Sequence, residues 1–452
     1  MSTSTAAPSA PYNSDKKTAS LNDDTSAINV PVRTTSLSGA IFNLTKSAVG
    51  AGTVFLPDIF YTLGLTIAIP LLFSGAVFCS ISLYFLGRMA HHCETGDYFK
   101  LGRLALGRHG ETAVSISLLL FLIGGLIAYA NLTGLYISAA IGTIRETEAE
   151  KTLFSSGNVT LAAAILFIFP LSCMRDMSML AKTSILGMIS MLYIAGLLAY
   201  DAMTHGTSFG IASAVERGTV EIKTTAFEFG FSLCGYVGKL IFAFVNHFTI
   251  VSLVPVMKDP SAKSRKILIT ASTVAATAIY LMASLGGFYR FGSLAKGTDT
   301  LSVFKAGQAI PLPYTIAQLA LGFVLICSFP LLCDPARSCL DSLIFGSAST
   351  VSAATRHYLE TGLIVAVPTA IAYFLKDQAD QFLSLFAGFC GSLLVFSFPG
   401  AFFLILSRRF KYSISSTERV LAYFCVVLGG ILAILSTTVN VSKLYTSLTK
   451  SA

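Results

Sequence analysis

The segment Asn43 to Asp58, NLTKSAVGAGTVFLPD, lies within an apolar stretch and decides how that stretch folds. It contains Lys46, the glycines Gly50 and Gly52, and Pro57, none of which suits the middle of a simple membrane anchor. Glycine pairs alone favour close helix packing. Lys46 favours a second interpretation, because an ionisable residue inside a membrane span is a functional candidate by default. We therefore predict a helix that is interrupted around the two glycines.

The composition places this segment in an all-α polytopic membrane protein. Of the 452 residues, 54% are hydrophobic and 12% are charged, whereas a soluble domain carries about 25% charged residues. The first 37 residues are polar and cannot bury enough apolar surface to fold alone. We predict a disordered cytosolic tail over 1–37, a membrane domain over 38–442 and a short outer tail over 443–452.

The apolar runs predict eleven transmembrane helices, since about 20 apolar residues cross a bilayer as a helix. The fourth run is short, and the sixth is long enough to be bent or tilted. The predicted spans are 39–63, 66–88, 114–142, 159–174, 183–203, 226–256, 267–289, 313–333, 359–375, 382–406 and 420–440.

The distribution of lysine and arginine predicts the orientation, because cytosolic loops are enriched in both. With the N-terminus inside, nineteen of the 31 basic residues fall in inner segments and ten in outer segments. The other two, Lys46 and Lys239, lie within spans. The sequence therefore predicts a cytosolic N-terminus and an outer C-terminus.

The sixth span carries a second disturbance, in the segment GYVGKLIFAFVNHFTIVSLVPVMKDP. Asn246 and His247 interrupt the apolar run, and Pro255 follows. A histidine bonded to neighbouring backbone would explain His247 equally well. Interrupted helices in the first and sixth spans nevertheless indicate a transporter built from two inverted repeats of five helices. The repeats would cover about 38–203 and 224–406, with one extra helix at about 418–442.

Four segments carry a resemblance to a known family. They are SAVGAGTVFLPDIFYTLG (47–64), FAFVNHFTIVSLVPVMKDP (242–260), SFPLLCDPARSCLDSL (328–343) and AGFCGSLLVFSFPGAFFL (387–404). Together they resemble the amino acid/auxin permease family, eukaryotic amino acid transporters, and point to a protozoan member. The resemblance implies eleven helices with a LeuT-type core. Two positions depart from the family pattern: Asp58 stands where an aromatic residue is usual, and Asn246 where glycine often precedes the histidine.

The breaks also predict where a substrate binds. A free amino acid presents a carboxylate and an ammonium; the start of a half-helix favours the first, and unwound carbonyls favour the second. The resemblance implies the same arrangement. Tyr129 is the candidate contact for the substrate's side chain, although it could equally be a packing residue. The predicted substrate-binding residues are Gly50, Ala51, Gly52, Thr53, Tyr129, Phe244, Val245 and Asn246.

Lys46, Ser328 and His247 are the predicted ion-coupling residues. Sodium-coupled relatives have asparagine at the position of Lys46, whereas proton-coupled or uncoupled relatives often have lysine there. An ammonium in that position would exclude sodium, and burial disfavours its charged form. Ser328 would be its neighbour in the eighth span. We therefore expect sodium independence, with proton coupling favoured over pure facilitation; a lysine that snorkels to the surface is the alternative.

The other charged residues within the predicted spans give only weak information about the substrate. Few acidic residues fall within spans, which weakly favours neutral amino acids over cationic ones. Glu228 is expected near the outer mouth, and Lys239 near the cavity or beside an intrahelical partner.

Other classes of protein find little support. A non-transporting amino acid sensor on the same scaffold is the main alternative, and a facilitator without ion coupling is another. A channel would need rings of pore charges or a repeated filter. No motif for an enzyme, a metal site or a cofactor is present, and no nucleic-acid partner is expected. The expected partners are a free amino acid, a proton and the lipid bilayer. We expect the plasma membrane, with a vacuolar or lysosomal membrane as the alternative.

Overall fold

A computed structural model gives the structure of the protein and shows it to be helical throughout its described part. Residues 1–32 of the predicted tail lie outside that part. The structure describes residues 33–50, 52–146, 148, 151–175, 178–209, 226–295, 299–303, 310–345, 351–376 and 379–451.

Fifteen α-helices are used below to place the site. Several begin at a serine whose hydroxyl accepts a backbone N–H of the first turn, as Ser36 does from Gly39 at 3.2 Å, which satisfies a donor that the helix itself leaves free. The helices are α1 Leu37–Ala48, α2 Gly52–Leu63, α3 Leu65–His92, α4 Tyr98–Arg145, α5 Ser156–Ala163, α6 Phe169–Ser172, α7 Ser178–Phe209, α8 Ala226–Phe244, α9 His247–Leu253, α10 Ala262–Phe291, α11 Leu312–Ile344, α12 Ala353–Phe374, α13 Ala379–Phe386, α14 Phe398–Arg409 and α15 Ser416–Ser451.

Within the described residues, eight helical segments are long and apolar enough to cross a membrane. The protein is thus an all-helical, multi-pass membrane protein. Three predicted spans fall on the interrupted pair α1 and α2, on the shorter apolar segment Ser156–Ser172, and on α12. These three are not among the eight, so the count of eleven stays a prediction. The last helix runs to Ser451, so most of the predicted outer tail continues that helix.

The interruption predicted near Gly50 and Gly52 is present. Helix α1 ends at Ala48 and α2 begins at Gly52. The sixth predicted span is interrupted in the same way, because α8 ends at Phe244 and α9 begins at His247. A span can leave regular helix only where its backbone is buried in protein or lines a cavity.

The two interrupted spans pack against each other and against α10. A Cβ atom added at Gly52 would lie 2.9 Å from Cα of Ala243, so α2 and α8 touch at their backbones there. At the end where α1 begins, the N–H of Thr35 donates to the carbonyl of Val256 at 3.0 Å, and the N–H of Lys258 donates to the carbonyl of Thr35 at 2.9 Å. The first span and the segment after α9 are therefore joined at that end.

Candidate functional site

The first break exposes backbone groups between two half-helices. The N–H of Val49 donates to Thr45 at 2.8 Å, and the N–H of Thr53 donates to Gly50 at 3.0 Å. Ala51 lies outside the described residues. Because α2 starts at Gly52, its first N–H groups have no partner within the helix, and they make its N-terminus a favourable place for a carboxylate.

The second break lies across from the first. Asn246 has φ −139° and ψ 20°, which takes it out of the helical path before α9 begins at His247. Its backbone carbonyl accepts the N–H of Ile250 at 3.1 Å, and its side-chain amide donates to the carbonyl of Leu44 in α1 at 3.4 Å. The two breaks are therefore connected directly.

Tyr280 of α10 also connects the two breaks. Its hydroxyl lies 2.7 Å from the carbonyl oxygen of Ala48, at the end of α1, and also contacts the carbonyl oxygen of Ala243, near the end of α8. Its side chain is fully buried, and its ring meets Phe244 edge to face at 5.2 Å. One hydroxyl thus lies within hydrogen-bond distance of two carbonyl oxygens at the ends of α1 and α8.

Three buried polar atoms at the breaks have no hydrogen-bond partner among the described residues. They are Oγ1 of Thr53, Oδ1 of Asn246 and Nδ1 of His247. The side chains that carry them are at most 4% exposed. A buried polar atom without a partner costs about 1–3 kcal/mol. Such atoms beside two opened helices indicate a place where a polar ligand can supply the partners.

A cavity of about 460 Å³ extends from the first break toward the end of the bundle where α1 begins. Lys46, Gly50, Tyr129 and Ser328 all line it. The Tyr129 hydroxyl would lie 3.4 Å from a Cβ atom added at Gly50, so it stands directly beside the break. This volume suits a small molecule such as an amino acid.

A second, smaller cavity of about 40 Å³ lies at the break itself. Gly50, Gly52, Tyr129 and Val245 line it, and Phe248 of α9 lines both cavities. The remaining walls are mostly apolar and come from Phe121, Leu122, Gly125, Phe242 and Leu332, beside Ser47 and Ala48.

The structure brings together only part of the predicted site. Thr53, Phe244, Asn246 and His247 are buried behind the cavity walls and do not line either cavity. Nε2 of His247 lies 2.7 Å from the hydroxyl of Ser82 in α3. The side chains of these residues point away from the cavities. Such residues can contact a bound molecule only through their backbone or after a rearrangement.

Lys239 has the expected partner on its own helix, since its Nζ lies 5.7 Å from the ring centroid of Tyr236, but its ion pairs were not predicted. Its Nζ lies 3.0 Å from Oδ2 of Asp58 in α2 and 2.8 Å from Oδ2 of Asp380 in α13. Its two ion-pair partners therefore lie on two other helices, and it does not line the cavity. Reasoning along a single helix could not find them, because the helices meet only in the folded bundle. The side chain of Glu228 lies outside the described part of the structure.

Sequence reasoning also missed two connections at the site. Tyr280 was not a candidate, since one tyrosine in an apolar helix carries no local signal. The hydroxyls of Ser47 and Thr249 lie 2.6 Å apart and join α1 to α9. Both residues line the larger cavity.

A family comparison identifies the family of the chain. The sequence profile of the family described as "Transmembrane amino acid transporter protein" matches residues 33–442. The chain belongs to this family. As a member of an amino acid transporter family, the protein is not an enzyme.

Relatives of this transporter carry matching names. A Schizosaccharomyces pombe protein named vacuolar amino acid transporter 5 is 22% identical over 90% of this chain and 94% of its own length. The Arabidopsis thaliana amino acid transporter AVT6A is 26% identical over 87% of this chain and 86% of its own. A Bos taurus protein with the provisional name of sodium-coupled neutral amino acid transporter 11 is 23% identical over 87% of this chain and 81% of its own.

Solved structures show which fold the transporter has. MhsT in complex with L-phenylalanine has a TM-score of 0.57 at 13% identity and covers 88% of this chain and 98% of its own. A Na⁺-coupled sialic acid symporter in a substrate-bound, outward-open state has a TM-score of 0.54 at 15% identity and covers 89% and 88%. At these identities the likeness shows the fold alone, which is LeuT-like.

Proposed function

We propose that the protein is a secondary active transporter that moves amino acids across a membrane by alternating access. The observation that carries the proposal is the pair of facing helix breaks, which Tyr280 joins and beside which the larger cavity lies. Two breaks at corresponding positions agree with inverted repeats of five helices, followed by one extra helix.

The substrate's charged ends are proposed to meet backbone at the breaks. The N-terminus of α2 at Gly52 and Thr53 would receive the carboxylate through its backbone, and the buried, unpartnered hydroxyl of Thr53 would donate to it only after a rearrangement. The ammonium would meet carbonyls near Val245, which lines the smaller cavity, and the buried side-chain oxygen of Asn246 after a rearrangement. Tyr129 would contact the rest of the substrate, since its hydroxyl stands beside Gly50.

The lining of the cavities favours neutral amino acids. Phe121, Phe242, Phe248 and Leu332 give the smaller cavity an apolar wall. Among the described residues, no aspartate or glutamate lines either cavity, whereas Lys46 lines the larger one. A cationic side chain would therefore meet a like charge and no opposite one. The name of the Bos taurus relative also contains the words neutral amino acid.

The arrangement of the helices is that of an inward-facing transporter, if the N-terminus is cytosolic as the basic residues predict. The larger cavity then opens toward the cytosol, because Thr35 and Val256 line its end. On the opposite side α2 is buried from Gly52 to Phe60. The N–H and the hydroxyl of Thr300 both donate to the carbonyl of Val54, at 2.9 and 2.8 Å, and hold a loop against α2.

Sodium independence with proton coupling is the proposed energetics, and Lys46 supports it. Lys46 lines the cavity together with Ser328 and makes no ion pair within the described part of the chain. Its ammonium would repel a sodium ion at this position. The name of the Bos taurus relative includes sodium coupling, which makes the coupling ion the first property to test. We propose the plasma membrane as the location, and the vacuolar relative supports the alternative.

Uptake of radiolabelled amino acids in transport-deficient yeast tests the function. We expect uptake of small neutral amino acids that rises with the proton gradient and does not change when potassium replaces sodium. Cells carrying an empty vector provide the control. Strict sodium dependence would overturn the proposed coupling. If none of the twenty amino acids enters under any gradient while one of them binds the purified protein, the protein is a sensor.

Replacing Lys46 by asparagine separates a coupling role from a structural one. We expect Lys46→Asn to abolish accumulation against a gradient and to lower proton-driven uptake about tenfold, equivalent to ~1.4 kcal/mol. Lys100→Asn is the matched control, since Lys100 is an exposed lysine at the start of α4. Unchanged rate and pH dependence in Lys46→Asn would show that the lysine only supports the fold.

A further inference from the structure

A groove of about 650 Å³ lies between α3, α10 and α15, away from the two substrate cavities. It shares no described lining residue with either of them. Phe73, Val77 and Val274 in its wall are between 48% and 63% exposed, and they lie on helices that are long and apolar enough to cross a membrane. The groove therefore faces the lipid.

Most of the groove offers an apolar surface. Its hydroxyl groups bond within the wall: the hydroxyl of Ser80 lies 2.9 Å from the carbonyl oxygen of Ala76 and 3.2 Å from the hydroxyl oxygen of Thr273. The hydroxyl of Thr277 donates to the carbonyl of Thr273 at 2.7 Å. A hydrocarbon chain can cover such a wall without leaving these donors unpaired, which would be costly.

The length of the groove corresponds to one leaflet of a bilayer. Lys266 and Leu281 both line it and are fifteen positions apart on α10, which is ~22 Å of helix. Half of the hydrocarbon core of a bilayer is about 15 Å thick. Lys266 directly precedes the predicted span 267–289, so the groove starts at the membrane surface and ends beyond the middle. A chain that fills it belongs to the leaflet on the side where α1 begins.

The end of the groove at the membrane surface is polar. Lys266, Tyr84 and Glu418 line it. The carboxylate of Glu418 is already engaged, since Oε1 lies 2.6 Å from Nη1 of Arg88 and accepts the hydroxyl of Tyr84 at 2.7 Å. Lys266 makes no ion pair with a residue that the structure describes. The charge that is left to pair at this end is therefore positive.

The neighbouring charges do not reverse this sign. Arg265 is buried beside Lys266 and interacts electrostatically with Arg88 and Asp259. Together with Glu418, these residues amount to three positive and two negative charges. A basic residue near the membrane surface attracts anionic lipid by about 1 kcal/mol. An apolar chain with an anionic phosphate at one end thus matches the groove in shape, polarity and charge.

We propose that the groove binds one acyl chain of an anionic phospholipid, with the phosphate of the headgroup at Lys266. Thr277 and Leu281 line the groove on either side of Tyr280, whose hydroxyl contacts both helix breaks. A bound chain therefore supports the part of α10 that carries Tyr280, and occupancy should raise the transport rate. This effect on the rate rests on the proposed transport function, whereas the binding does not.

Native mass spectrometry of the purified, delipidated protein tests the binding, with phosphatidylglycerol and phosphatidylcholine of identical acyl chains as probes. The wild type should retain one phosphatidylglycerol molecule with an affinity roughly fivefold above that for phosphatidylcholine, as one lysine contributes. Lys266→Glu should remove this preference, and Ala278→Phe should weaken the binding of both lipids, because Ala278 lines the groove. The matched controls are Lys263→Glu, at an exposed lysine outside the lining, and Ala370→Phe, at an exposed alanine of α12.

Proteoliposomes with and without phosphatidylglycerol test the effect on transport. The rate per folded protein should rise about twofold or more with phosphatidylglycerol in the wild type and in Ala370→Phe, but not in Ala278→Phe. Equal affinity of the wild type for both lipids would overturn the role of Lys266, and undiminished binding to Ala278→Phe would overturn the groove as the site. If no amino acid is transported in any lipid, the proposed function fails, and the mass spectra still decide whether the groove binds the lipid.

Discussion

Replacing Lys239 by methionine is expected to remove most of the folded protein from the membrane. Methionine fills a similar volume but leaves the carboxylates of Asp58 and Asp380 without their shared ammonium, and the Asp58 side chain is fully buried. Removing one partner of a buried ion pair costs about 3–5 kcal/mol. Fluorescence-detected size-exclusion chromatography after graded heating measures the loss as a lower Tm and a smaller monodisperse peak.

A compensating variant shows whether charge is the cause. In the double variant Lys239→Met with Asp58→Asn, a neutral amide replaces the fully buried carboxylate. The carboxylate of Asp380, whose side chain is 36% exposed, can be hydrated. We expect the double variant to regain most of the folded protein. Lys100→Met is the control, because Lys100 lies 2.5 Å from Asp97 in an exposed pair, and such pairs contribute only about 0–1 kcal/mol. A double variant as unstable as Lys239→Met would mean that the lysine stem, through packing, holds the helices together.

The role of Lys239 also shows where sequence reasoning stops. The break at Gly50 and Gly52 could be predicted because its cause is local: small residues, a lysine and a proline within one apolar run. Asp58 and Lys239 are 181 positions apart in sequence, and each looked unusual by itself. Their pairing depends on how α2 crosses α8, which the composition of either helix does not determine.

The candidate site was also only partly predictable from the sequence, because some of its features are local and others depend on the fold. The sequence placed Lys46, Gly50, Tyr129 and Ser328 near one another through the breaks and the family resemblance, and all four line the larger cavity. Which side chains face the cavity depends on the rotation of each half-helix after its break. His247 follows the second break by sequence, yet it turns toward Ser82 in α3. A resemblance in sequence motifs carries no information about that rotation.

Tyr280 is the residue missed by sequence reasoning for which we expect the largest effect on transport. We expect Tyr280→Phe to reduce the maximal rate of transport about tenfold or more, ~1.4 kcal/mol, while the protein stays folded. The substitution removes one hydroxyl and keeps the ring that packs on Phe244. The carbonyls of Ala48 and Ala243 then lose the donor that holds them together. Initial uptake rates, divided by the amount of folded protein, measure the effect.

The matched control for this variant is Tyr193→Phe. The Tyr193 hydroxyl also donates to a backbone carbonyl, that of Pro313 at 3.0 Å, but on an exposed surface away from both breaks. If both variants transport normally, the Tyr280 bond is dispensable, and packing at Gly52 and the Asn246–Leu44 and Ser47–Thr249 hydrogen bonds are enough to hold the half-helices. If Tyr280→Phe loses transport because it no longer folds, its Tm falls as well. A normal Tm with slow transport would instead show that the hydroxyl keeps the two breaks in register for the substrate, because stability and transport then depend on different contacts of the same ring.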